Sequence, residues 1–202
     1  MEAAEHLADE VGLSRLTLTG LAQRLGVRQP SLYKHIESME HLHRSISVRA
    51  KDELAGALGR AAVGRSRGDA IVSMSQAYRD WATAHPGRYA AAQRAPAPGD
   101  AHNEVASMAV VQVLTDVLAG YDLHGDDAID AIRSGLHGFS VLETSGRFGL
   151  PLDIDRSYDR LVHGLLAALT SWDDEAGADE GQLRTTTQQP APSPRAAAET
   201  TA

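Results

Sequence analysis

Arg28, Gln29, Ser31, Tyr33, Lys34 and His35 are polar side chains left facing outward by the apolar pattern around them. Cations and hydroxyls of this kind bind phosphate oxygens, while Gln and Ser also reach the hydrogen-bonding edges of bases. All six fall within Leu18–Ile36, which reads LTGLAQRLGVRQPSLYKHI.

Two short helices and a tight turn must position them. Leu18, Leu21, Leu25, Val27, Leu32 and Ile36 supply the buried side of such a unit. Ala22 is small enough to let the helices cross closely. Gly26 ends the first helix, because a residue without a side chain takes positive φ cheaply. Pro30 suits the first position of the second helix, where its missing N–H is not needed. Leu32 then seals the pair from water. The pattern predicts a helix-turn-helix that lays its second helix in the DNA major groove. An ordinary helical hairpin is the plainer alternative.

Residues 3–36 resemble the DNA-binding domain of the TetR family of transcriptional repressors, most closely at RQPSLYKHI. The resemblance implies an all-α homodimer with an N-terminal three-helix head and a larger helical body holding a small-molecule pocket. By position it brings Thr19, Gln29, Pro30, Ser31, Tyr33 and His35 to DNA. Tyr33 and His35 would lie mainly on the backbone, with Gln29 and Ser31 nearer the bases. Arg28 and Lys34 add charge to the same surface. Met39 departs from the family pattern, which often has a phosphate-gripping Lys there. Met1 stands almost inside the first helix; either the start is short, which would weaken the packing of the head and remove phosphate contacts, or the true start lies upstream.

The chain of 202 residues carries a net charge of −8, which seems unsuited to DNA until it is divided along the sequence. From Ser14 to Arg49 there are six Lys or Arg against two acids, a net +4. A basic head on an acidic body suits a protein that touches DNA at one end. The absence of cysteine excludes disulfides, thiolate nucleophiles and zinc fingers. No uninterrupted apolar run approaches ~18 residues, and no signal-peptide core is visible, so a cytoplasmic protein without a membrane partner is expected.

The spacing predicts a long helix over Ser38 to Ala62, with Leu42, Ile46, Leu54 and Leu58 on one face. Asp69 is the expected cap of the next, which carries Ile71, Met74, Tyr78 and Trp81. A short helix follows over Arg88 to Gln93, then a loop at APAPGD. Val105, Met108, Val111, Leu114 and Leu118 mark a mostly buried helix. Ile129, Ile132, Leu136 and Phe139 mark another, and Tyr158 to Leu169 the last. No strand is predicted. The expected division is a DNA-binding head over 1–45, a ligand-binding and dimerisation body over 46–172, and a disordered tail over 173–202, whose Ala, Thr, Gln, Pro and acids cannot bury enough surface to fold.

Tyr78 to Ala90 and Gly135 to Asp153 resemble the C-terminal domain of a TetR subgroup marked by a Trp-His-Gly triplet; here it reads Leu136-His137-Gly138. The resemblance and the apolar character of ligand sites make Tyr78, Trp81, Tyr89, Met108 and His137 candidate effector-lining residues, though each could equally be core. The last two helices of a TetR-like subunit form a four-helix bundle with their partners. Gly135 and Gly138 would allow close approach there, and Leu142, Leu161, Leu165 and Leu169 would line the interface, or pack only within the subunit.

Nothing in the chain reads as an enzyme. His41 and His43 are two apart and cannot chelate a metal together on a helix. His137 and Glu143 are too far apart to pair on one turn. No Ser-His-Asp set, phosphate loop or carboxylate pair is visible, and no cofactor or metal is expected. The expected function is a repressor that binds a palindromic operator as a homodimer and is released by a small-molecule effector. The alternative is a dimeric ligand sensor or adaptor without sequence-specific DNA binding.

Overall fold

Thr17 opens the second helix because its side chain accepts the Gly20 N–H at 3.0 Å, satisfying one of the donors that a helix start leaves unpaired. The computed structural model describes the backbone of residues 1–121, 126–151 and 153–187, and the side chains of these except 126 and 173–187. The head comprises α1 (Glu2–Val11), α2 (Leu18–Leu25) and α3 (Gln29–Leu32). Gly26 ends α2 at φ 66°, with Gly26 and Val27 returning their N–H groups to Gln23 and Ala22. Ala4, Ala8, Leu18, Leu21, Ala22 and Leu32 form the core of the head.

The body follows as α4 (Met39–Ala62), α5 (Arg67–Ala84), α6 (Pro86–Ala92), α7 (Ala101–Leu118), α8 (Asp126–Thr144) and α9 (Ile154–Thr187). No strand occurs among the described residues. Ser38 caps α4 by accepting the His41 N–H at 3.0 Å. Leu42 and Ile46 at the start of α4 belong to the core of the head, and Leu54 and Leu58 to that of the body. One rigid element therefore serves both units. Met39 packs half-buried against the head.

Several expectations are corrected. Leu25, the last residue of α2, and Val27, in the turn after it, are exposed and do not join the inner face. Ser66, not Asp69, precedes α5 as its cap position, with Asp69 in the first turn. On α7 the buried residues are Asn103, Ala106, Leu114, Val117 and Leu118, whereas Val105 is 70% and Met108 65% exposed. Apolar residues surround this helix, so their spacing does not select a face. Ala101–Tyr121 is also long and apolar enough by composition to cross a membrane; here it packs against α4. The backbone of α9 continues as helix to Thr187, past the Asp173 at which a tail is expected. Residues 188–202 of that tail lie outside the described residues.

The head and body meet through α6. Ala91 is buried in the core of the head. Gly87 lies so close to α1 that a Cβ there would sit 2.0 Å from the Ala8 carbonyl oxygen. The Arg88 backbone N–H and its Nε donate to Asp9 at 2.8 Å each, and another guanidinium N–H donates to Glu53 of α4 at 2.7 Å.

Candidate nucleic-acid interface and effector cavity

Three of the residues expected at DNA are joined in one network. Thr19 of α2 donates its hydroxyl to Gln29 Oε1 at 3.1 Å, and Gln29 Nε2 donates to the Tyr33 hydroxyl at 3.4 Å. The half-buried Gln29 side chain is thus held between the two helices of the motif. Arg28 is the cap residue of α3, and Gln29 opens the helix, so Pro30 stands second in its first turn and not first as expected. Ser31, Tyr33, Lys34 and His35 are exposed around or just after this helix, Tyr33 by 54%. The polar face and the buried Leu32 lie on opposite sides of the same turn.

The positive charge of the head is less free than the sequence suggests. Arg24 pairs with Glu10, Arg44 with Asp100, and Arg49 with Glu5. Arg28 and Lys34 have no ion-pair partner among the described residues. Arg28 and Lys34 flank α3, where a phosphate would meet them, while Arg15, which bonds the Val11 carbonyl and no acid, adds charge after α1.

Behind the head lies a cavity of about 630 Å³ enclosed by α4, α5, α7, α8 and the end of α6. Two of the five expected lining residues, Tyr78 and His137, border it. Tyr89 is buried behind them, its hydroxyl 3.1 Å from that of Tyr78 and 2.7 Å from His137 Nδ1. Burial pushes the phenols of Tyr78 and Tyr89 above the usual tyrosine range. Burial, helped by Arg133, lowers His137 and so favours its neutral form. Trp81 is corrected to a core residue, its ring edge-on to His85 at 5.4 Å. Met108 is corrected to the surface.

Lys51 is the lining residue that the sequence reading missed. It shares the inward register of Ser47, Leu54 and Leu58, and a lysine on an apolar stripe is the signal that would have found it. Its ammonium donates to the Arg94 carbonyl at 2.9 Å and to Asn103 Oδ1 at 2.6 Å.

The dimer candidates divide. A Cβ on Gly135 would meet Leu165 at 3.5 Å and Leu161 at 3.6 Å, so its close approach is taken up by α9 of the same subunit. Leu169 is wholly buried there too. Leu161 and Leu165 are half-buried against the same core. Gly138 has open space around it and Leu142 is 42% exposed.

A polar-faced helix-turn-helix on an all-helical body defines a DNA-binding regulator. The model of bacterial regulatory proteins of the tetR family matches residues 1–46, and that of the tetracyclin repressor-like C-terminal domain matches residues 71–165. The HTH-type transcriptional regulator Rv0681 of Mycobacterium tuberculosis is 37% identical over 173 residues, covering 84% of this chain and 79% of the relative. YobS of Bacillus subtilis, also an HTH-type transcriptional regulator, is 31% identical, covering 84% of this chain and 90% of the relative. A tetR-family regulator from Streptomyces coelicolor shares the fold with a TM-score of 0.65 at 19% identity, covering 94% of this chain and 87% of that one. The chain belongs to the TetR family of transcriptional regulators.

Proposed function

We propose that this protein is a cytoplasmic repressor that binds a palindromic operator as a homodimer and leaves it when a small molecule occupies the body cavity. The head over 1–45 reads DNA through Thr19, Arg28, Gln29, Ser31, Tyr33, Lys34 and His35, with Pro30 shaping the start of the reading helix. The body over 46–172 binds the effector and the partner subunit, and the tail over 173–202 is dispensable for DNA binding. The body is of the type marked by the Trp-His-Gly triplet, with Leu136 at the Trp position lining the cavity.

The observation that carries this reading is the double attachment of α6. Tyr89 touches the cavity residues Tyr78 and His137, while Gly87 and Arg88 touch α1. A ligand that binds better when α6 and α4 are displaced favours a different spacing of the two heads, by population shift. A coupling of roughly 1–3 kcal/mol suffices for a switch. One short reading helix touches too few bases for a unique site, whereas two held ~34–36 Å apart reach successive major grooves. Gly138 and Leu142 of α8, with Leu161 and Leu165 of α9, form the dimer face.

Titration of the purified protein into duplex DNA at increasing salt tests the reading. A repressor loses affinity steeply as salt rises, since it releases counterions from the phosphates it covers. An adaptor without DNA binding shows no such affinity at any salt.

A further inference from the structure

Lys51 is only 4% exposed, yet it is one of the residues that line the cavity. Both of its hydrogen-bond partners, the Arg94 carbonyl and the Asn103 amide oxygen, are neutral. An ammonium has three N–H donors, so one is left over and the full charge has no anion in contact. The nearest acid acting on it is Asp100, whose carboxylate is already committed to Arg44 and to the Asn103 N–H. Burial accordingly pulls the Lys51 pKa below the usual lysine range. An uncompensated charge on an apolar wall is costly unless something pairs with it.

The other two cations of the lining are paired, which sets Lys51 apart. Arg133 is matched by Asp130 at 3.1 Å, and Arg94 by Glu40 at 2.7 Å from outside the cavity. The lining itself therefore holds Lys51, Arg94 and Arg133 against a single carboxylate, Asp130. Between these ends the walls are apolar, with Leu54, Leu58, Met74, Leu114 and Leu136. A volume of about 630 Å³ accommodates a small organic molecule.

We propose that the effector is an organic monoanion, a carboxylate held by Lys51 with its apolar body along Leu54, Leu58 and Leu114. A single remaining donor suits a carboxylate better than a phosphate dianion, which needs several. The assignment rests on the reading of the cavity as the effector site.

Matched probes that differ only in charge test it: octanoate with octanamide, and naphthoate with naphthamide, titrated calorimetrically into the full-length protein near neutral pH. In the wild type at least one carboxylate binds roughly tenfold or more tighter than its amide. Lys51→Met removes that preference, weakening the carboxylate far more than the amide. Lys51→Gln, which retains polar contact with Asn103 and the Arg94 carbonyl, gives the same loss should the Met variant not fold. Equal binding of acid and amide, or equal loss of both in the variants, overturns the anionic class and leaves a site for neutral ligands. Binding of neither pair overturns the class and the effector cavity together, while DNA affinity measured on the same protein reports the head separately.

Discussion

Gly87 of α6 and Ala8 of α1 meet backbone to backbone, with room for no side chain between them: a Cβ on Gly87 would lie 2.0 Å from the Ala8 oxygen. Since the atoms met are main chain, no flexible side chain can yield. Gly87→Ala is expected to destabilise the protein by about 1–3 kcal/mol, read from chemical denaturation. It also lowers DNA affinity, because α1 must shift with the strain. Wild-type stability and affinity would show that α6 does not hold the head.

Arg88 lies beside that contact and bridges Asp9 of α1 to Glu53 of α4, with all but a small part of its side chain buried. Arg88→Met leaves Asp9 without its guanidinium partner and Glu53 with only Arg49, 4.0 Å away. A loss of about 3 kcal/mol is expected, as for the removal of one partner from a buried ion pair. Asp9→Asn should cost less, because the Glu53 contact survives.

Gly138 provides the converse case. Among the described residues, nothing outside its own helix lies within 4 Å of the position of its Cβ. Gly138→Ala in mid-helix is expected to leave subunit stability unchanged or raise it by about 0.5–1 kcal/mol. If α8 meets its partner there, the added methyl weakens the dimer, and sedimentation at decreasing concentration detects this. An unaltered dimer removes Gly138 from the interface.

His43, His85 and His137 all have pKa values below the usual 6.5, chiefly through burial, with Arg94, Arg88 and Arg133 respectively adding to it. Between the folded and unfolded values the unfolded chain binds more protons, so stability rises with pH in that window. Their contribution is complete above pH 6.5 and declines as pH falls through the lowered folded values. The midpoint of thermal unfolding should therefore drop between about pH 7.5 and about pH 5.5. Asp100, held near pH 2 by Arg44, contributes above its ordinary 3.8 and fails only at stronger acid, well apart from the histidine window.

Much of the head was legible because its grammar is local. Gly26 acts on the turn in which it stands, so its type marks the end of α2; α3 and α4 start at Gln29 and Met39, each one residue from the expected Pro30 and Ser38. The failures are tertiary. Val105 and Met108 are apolar but lie on the outer side of a helix that is apolar around much of its circumference. The small size of Gly135 serves a close approach to α9 of the same subunit, which its own helix does not announce. The packing of Gly87 on Ala8, 79 residues apart like the Asp9–Arg88 bonds beside it, has no local signature at all. Neither has the pairing that removes Arg24, Arg44 and Arg49 from the free charge of the head.

On the DNA face, Gln29 and Tyr33 should separate in their effects. Gln29→Ala relaxes the preference at one base position, costing ~1–3 kcal/mol against the favoured site. Tyr33→Ala weakens binding to every sequence and reduces the salt slope, as for a backbone contact. The hydrogen bond between the two lets some of each effect appear in the other. Equal, sequence-blind losses would defeat the assignment.

Selection of random duplex DNA by the purified full-length protein near physiological salt is the decisive experiment for a dimeric DNA reader. An enriched palindrome is expected, with half-sites centred about one helical turn, or a multiple of it, apart. No enrichment, from protein shown to be folded and dimeric, would contradict it.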